Sequence, residues 1–148
     1  NIVPMSTQVS QFEQLVSEKR NYEVSKSLYC FAIGSNDISN YLSNSTSTPK
    51  EFLSLLLTKF NEYITRLYRV GARKFLVLDI PALGCTPNSR LIDSNGECLK
   101  AANLLAEAYN TALKPLIDQL NQQLEELSII LLNSFDSLLD MIQHGEAY

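Results

Sequence analysis

The sequence predicts an α/β sandwich, in which helices cover both faces of a parallel sheet. Two observations predict it. Segments of helical and strand character alternate along the chain as helix, strand, helix, strand, helix, strand, helix. The strand segments are continuous apolar runs and do not alternate with polar residues, as expected of strands buried on both faces. With 148 residues, 45% hydrophobic and 19% charged, the chain has the size and composition of one globular domain over 1–148.

Each element has its own signal. Val9, Phe12, Leu15 and Val16 recur at helical spacing. Leu28–Ile33 is an apolar run that reads as a buried strand, with Cys30 as a buried thiol. It is closed by Gly34-Ser35-Asn36-Asp37, and a polar loop follows through Ser43-Asn44-Ser45-Thr46-Ser47. Thr48-Pro49-Lys50-Glu51 is a helix start, with Thr48 as cap, Pro49 in the first turn and Glu51 reaching back. That helix carries Phe52, Leu55, Leu56, Phe60, Ile64 and Leu67 on one face. Arg66 and Arg69 suit its C-terminal dipole, and Gly71 stops it. Phe75–Leu78 is a second apolar strand. A long helix from Leu99 to Glu126 turns Leu105, Ala108, Ala112, Leu116, Leu120 and Leu124 to the core, with a kink expected at Pro115. Ile129–Leu132 is a third strand, and Ser134 caps a last helix through Gln143.

Composition excludes several functions. The net charge of -4 leaves no basic surface for nucleic acid. No apolar run approaches the roughly 20 residues that a membrane-spanning helix needs. The first residues, Asn1-Ile2-Val3-Pro4-Met5, do not form a signal peptide, and the start without methionine points to a processed or excerpted segment. The five glycines, Gly34, Gly71, Gly84, Gly96 and Gly145, match neither a dinucleotide fingerprint nor a P-loop, so no cofactor is expected. Cys85 and Cys98 flank a loop that holds Pro87, Asn88, Asp93, Asn95 and Gly96. A disulfide closing it would restrict the unfolded chain. No histidine lies nearby to support a metal site there. One N-glycosylation sequon starts at Asn44. Together, the loop cysteines and the sequon lean towards secretion.

The chemistry-bearing residues gather at strand ends. In a parallel sheet, the loop beyond a strand's C-terminal end is where ligands bind. There Gly34 permits a tight turn, and Asn36 offers an amide N–H to a developing negative charge. Ser35 lacks the second glycine of a nucleophile elbow. Asp37 and Asp79 follow the first two strands and could face one ligand edge as paired carboxylates, although such residues more often cap a helix or pin a loop. The single histidine, His144, ends the last helix, where it suits the dipole better than catalysis.

Three segments carry a family resemblance. Ser27-Leu28-Tyr29-Cys30-Phe31-Ala32-Ile33-Gly34-Ser35-Asn36-Asp37 resembles the third block of the plant GDSL-type esterase/lipases, a branch of the SGNH hydrolases. The run from Gly71 to Pro87, with Pro81-Ala82-Leu83-Gly84-Cys85-Thr86-Pro87 at its end, and the helix from Ala106 to Leu113 are similar to further segments of that family. The resemblance implies an incomplete three-layer α/β/α sandwich of flavodoxin-like type. It also implies secreted hydrolysis of a small ester or lipid without a cofactor. In that family a serine attacks the ester carbonyl, a histidine acts as base, and an aspartate orients the histidine. The oxyanion is held by two backbone N–H groups and an asparagine side chain. By position the asparagine role falls to Asn36, with Gly34 as the turn that presents it. The likeness also supports pairing Cys85 with Cys98.

The sequence departs from the family pattern in what it lacks. No Gly-Asp-Ser-Leu block precedes residue 27, and no Asp-x-x-His block occurs. The first strand of the family's sheet has no counterpart, which implies an exposed sheet edge. Two readings follow. One is the central part of a secreted ester hydrolase, inactive as these 148 residues alone. The other is a truncated, non-catalytic relative with a binding or structural role.

Overall fold

The computed structural model describes residues 3–18, 23–92 and 94–147; Asn1, Ile2, residues 19–22, Asp93 and Tyr148 lie outside the described residues. Among the described residues, six α-helices and three strands follow in the order α1 (Met5–Glu18), β1 (Leu28–Ala32), α2 (Ser35–Asn44), α3 (Pro49–Arg69), β2 (Lys74–Leu78), α4 (Pro87–Arg90), α5 (Lys100–Gln123), β3 (Ser128–Leu132) and α6 (Ser134–Gln143), with short 3-10 turns between some of them. The strands form one parallel sheet in the order β1-β2-β3. Tyr29 pairs with Phe75, and Phe75 with Ile129, so all three strands end on one edge.

The ends of α3 follow from its sequence. Thr48 Oγ1 accepts the Glu51 N–H at 3.3 Å, and Glu51 Oε2 accepts the Thr48 N–H at 2.9 Å, which closes the capping box. At the other end Gly71 takes φ +104°. Its N–H reaches the Tyr68 carbonyl and the Ala72 N–H reaches that of Leu67, a Schellman termination.

One face of the sheet is packed. Tyr29, Phe31, Phe75, Val77 and Ile129 lie beneath α1, α3 and α5, and Phe31 meets Phe60 and Phe75 edge to face. The helix faces differ from the expected ones by small rotations. On α5 the buried residues are Ala102, Leu105, Ala106, Tyr109, Leu113, Ile117 and Leu120, while Ala108 is exposed. On α3 Leu55 is exposed, and Leu53 and Leu57 pack inward.

The opposite face is open among the described residues. Leu28, Ile130 and Leu132 are 63%, 62% and 49% exposed, and Cys30 is exposed beside them. Cys30 is therefore not a buried thiol. Strand periodicity turns it to the face opposite Tyr29 and Phe31, which the helices do not cover. The apolar character of that face is what a covered sheet requires, so the fold is an α/β sandwich short of one layer.

Two local expectations change. The segment after Gly34 is helical through Asn44, because Ile38 and Tyr41 recur on one side and Ile38 is fully buried. The cap of α6 is Asn133, whose Oδ1 accepts the Asp136 N–H at 2.9 Å; Ser134 is the first helical residue.

Candidate functional site

The C-terminal edge of the sheet collects the predicted residues. Beyond β1, Gly34 takes φ +109° and forms the N-cap of α2. It is buried, and the place a β-carbon would occupy lies 2.5 Å from Ile80 Cδ1. Glycine is thus required twice, by backbone conformation and by the close approach of Ile80. Ser35 and Asn36 are the first two residues of α2. Asn36 is exposed, and its side chain has no hydrogen-bond partner among the described residues.

Asp37 and Asp79 part company here. Asp37 is exposed in the first turn of α2. The phenol of the buried Tyr109 is pushed up by burial and, second, by the Asp37 carboxylate. Asp79 is only 7% exposed, and its Oδ1 accepts from the Ser134 N–H at 2.7 Å, the Phe135 N–H at 3.0 Å and the Ser134 hydroxyl. Its Oδ1 thus satisfies the first two N–H groups of α6, beside the Asn133 cap, which gives Asp79 a helix-anchoring role. His144 ends α6, with its Nδ1 2.9 Å from Asp140 Oδ1.

Three asparagines escaped the sequence reading. Asn103, Asn110 and Asn121 stand seven and eleven residues apart on α5, about two and three helical turns, and so share one face. Asn103 Oδ1 accepts the Gly84 N–H at 2.7 Å. Asn110 Oδ1 accepts the Ile80 N–H at 2.9 Å, and its Nδ2 donates to the Ile80 carbonyl at 2.8 Å. Asn121 repeats this double bond on Ile129, at 2.8 and 3.1 Å. One planar amide thereby satisfies both backbone groups of one residue. Asparagine is a poor helix former, so three on one face of one helix was the available signal.

Cys85 and Cys98 are disulfide-bonded, with Cα atoms 4.4 Å apart. The Asn103 amide also donates to Cys85 Sγ at 3.3 Å, which ties the bridge to α5. Asn44 is exposed at the last position of α2. Among the described residues, no three His, Cys, Asp or Glu side chains converge as a metal would require, and no helix is long and apolar enough to cross a membrane.

Known proteins are similar to this chain in sequence. A family profile described as GDSL-like Lipase/Acylhydrolase matches residues 1–146. GDSL esterase/lipase At2g23540 of Arabidopsis thaliana is 32% identical over 155 residues, covering 97% of this chain and 40% of the relative. GDSL esterase/lipase At5g55050 of the same plant is 31% identical over 159 residues, covering 99% and 42%. At3g50400, also a GDSL esterase/lipase of that plant, is 32% identical over 151 residues, covering 93% and 40%. The chain spans about two fifths of the length of these curated relatives.

Proposed function

The chain belongs to the GDSL-like lipase/acylhydrolase family, and from that premise we propose that it supplies the oxyanion-binding segment of a secreted carboxylic-ester hydrolase, with Asn36 as donor and Gly34 as the turn that presents it. The observation that carries the reading is the unbonded Asn36 amide, exposed at the C-terminal edge of a parallel sheet on a turn that only glycine fits. When a nucleophile attacks an ester carbonyl, negative charge collects on the carbonyl oxygen. A donor already aimed at that oxygen lowers the barrier without reorganising.

The substrate is a small ester or lipid, and the residues need no cofactor for this step. The nucleophile and the histidine base are not among these 148 residues. A donor without a nucleophile gives little rate, so this segment alone is inactive. The disulfide and the exposed Asn44 sequon support passage through an oxidising, glycosylating compartment.

Ester hydrolysis by the longer protein that carries the segment tests the donor. Asn36→Ala is expected to lower kcat by about 10²–10³-fold, with the smaller change in KM. An unchanged kcat would remove Asn36 from the site. The 148-residue chain itself should stay unlabelled by a serine-directed fluorophosphonate, and stoichiometric labelling would contradict the inactivity.

A further inference from the structure

We propose that Asn110 is a positioning residue for the oxyanion donor, holding Asn36 in place through Ile80 and Gly34. The proposal rests on the reading of Asn36 given above. The Asn110 amide closes two hydrogen bonds on the backbone of Ile80, at 2.9 and 2.8 Å. Ile80 lies two residues past the end of β2, so these bonds take the place of a strand partner. Its side chain is buried, and Cδ1 and Cγ1 fill the space where Gly34 has no β-carbon. The turn from β1 into α2 therefore rests on Ile80. Asn36 follows two residues later in the first turn of α2. A shift of Ile80 is passed through this contact to the Asn36 amide. Helix α5 also packs on α2 directly, so the support and the supported helix belong to one packed unit.

Without Asn110, the Ile80 N–H and carbonyl lose their partners, and the segment between β2 and the next turn can move to find new ones. Displacing a catalytic group by about 1 Å can cost on the order of 100-fold in rate. The molecule contains its own control. Asn121 makes the same two bonds from the same helix, but to Ile129 on β3, the strand farthest from β1.

The test compares Asn110→Ala, Asn121→Ala, Asn36→Ala and the double variant Asn36→Ala/Asn110→Ala in the longer protein. Asn110→Ala should lower kcat about 10- to 100-fold with KM little changed. The double variant should be no slower than Asn36→Ala alone, since a misplaced donor and a missing one forfeit the same interaction. Asn121→Ala should lower the thermal midpoint as Asn110→Ala does, yet leave kcat within about twofold. Independent, multiplying losses in the double variant would overturn the proposal, as would an equal kcat loss in Asn121→Ala. Should Asn110→Ala fail to fold, Ile80→Val, which removes the Cδ1 methyl over Gly34, must lower kcat in the same way; an unchanged kcat overturns the link. If Asn36→Ala itself has no effect, the reading of Asn36 fails. The positional link is then decided by the Gly34 and Asn36 amide resonances of the 148-residue chain. Asn110→Ala should shift them and Asn121→Ala should not, and unmoved resonances in Asn110→Ala would reject the link.

Discussion

Ile80 Cδ1 stands 2.5 Å from the point where a β-carbon on Gly34 would sit, and Gly34 itself has φ +109°. Gly34→Ala therefore meets two penalties. Holding a non-glycine residue in such a backbone region costs about 1–3 kcal/mol, and overpacking a filled site costs roughly 1–3 kcal/mol more. Urea unfolding should show a lower midpoint with an unchanged slope. A variant as stable as the parent would mean that the turn relaxes freely and does not hold α2 in place.

Asp79 separates two roles that its position at a strand end leaves open. Beside the Asn133 cap, its carboxylate accepts the Ser134 and Phe135 N–H groups at the start of α6. Asp79→Ala should then cost about 1–3 kcal/mol, because buried donors lose their acceptor. Asp79→Asn keeps an oxygen acceptor and should lose less. In the longer protein, ester hydrolysis by a folded Asp79→Asn variant should stay near the parent rate. Loss of turnover with stability retained would restore the acid–base role.

Much of this arrangement is legible in the sequence, for local reasons. The continuous apolar runs at Leu28, Phe75 and Ile129 mark the strands, and Thr48-Pro49-Lys50-Glu51 marks the start of α3, because each signal is contained within a few residues. Helix α2 is less legible. Its Ser- and Asn-rich composition resembles a loop, and it is held by Ile38, which reaches the core only in the fold. The exposure of Cys30 depends on which face the helices cover, and strand composition does not encode that. The Asn110 contact joins residues 30 apart in sequence. Its chemistry is plain, but its partner is a backbone group that carries no sequence signature.

The bidentate contact of Arg66 with Glu13, at 2.9 Å from Nε to Oε1, joins α1 to α3 and gives stability a pH dependence. The Arg66 hydrogen bond holds the Glu13 carboxyl below its ordinary value. A carboxylate whose folded pKa is depressed binds fewer protons folded than unfolded. Its contribution is therefore complete above the ordinary glutamate pKa and is lost as the pH falls through the lowered one. Glu51, lowered by its bonds with Thr48, acts in the same direction. Thermal midpoints measured from neutral pH downward should fall less steeply in Glu13→Gln than in the parent. Parallel curves would show that the contact adds nothing.

The Cys85–Cys98 bridge closes a segment of 13 residues and lies where α5 meets the turn after β2. Arg90 Nε donates to the Cys85 carbonyl at 3.2 Å, and Thr86 and Ser89 both donate to the Leu83 carbonyl, so the chain beside Cys85 is already ordered by other bonds. The bridge then acts mainly on the unfolded chain. For a loop of this length, the entropic treatment gives about 3 kcal/mol. Reduction should lower the unfolding midpoint by a corresponding amount while the circular dichroism at low temperature stays unchanged. Cys30 is exposed on the open sheet face and should react with iodoacetamide in the folded, non-reduced chain, whereas Cys85 and Cys98 should not. Peptide mapping of a non-reduced digest checks both points. A bridge that includes Cys30 would contradict the pairing, and a Cys30 that resists alkylation would mean that its sheet face is covered in solution.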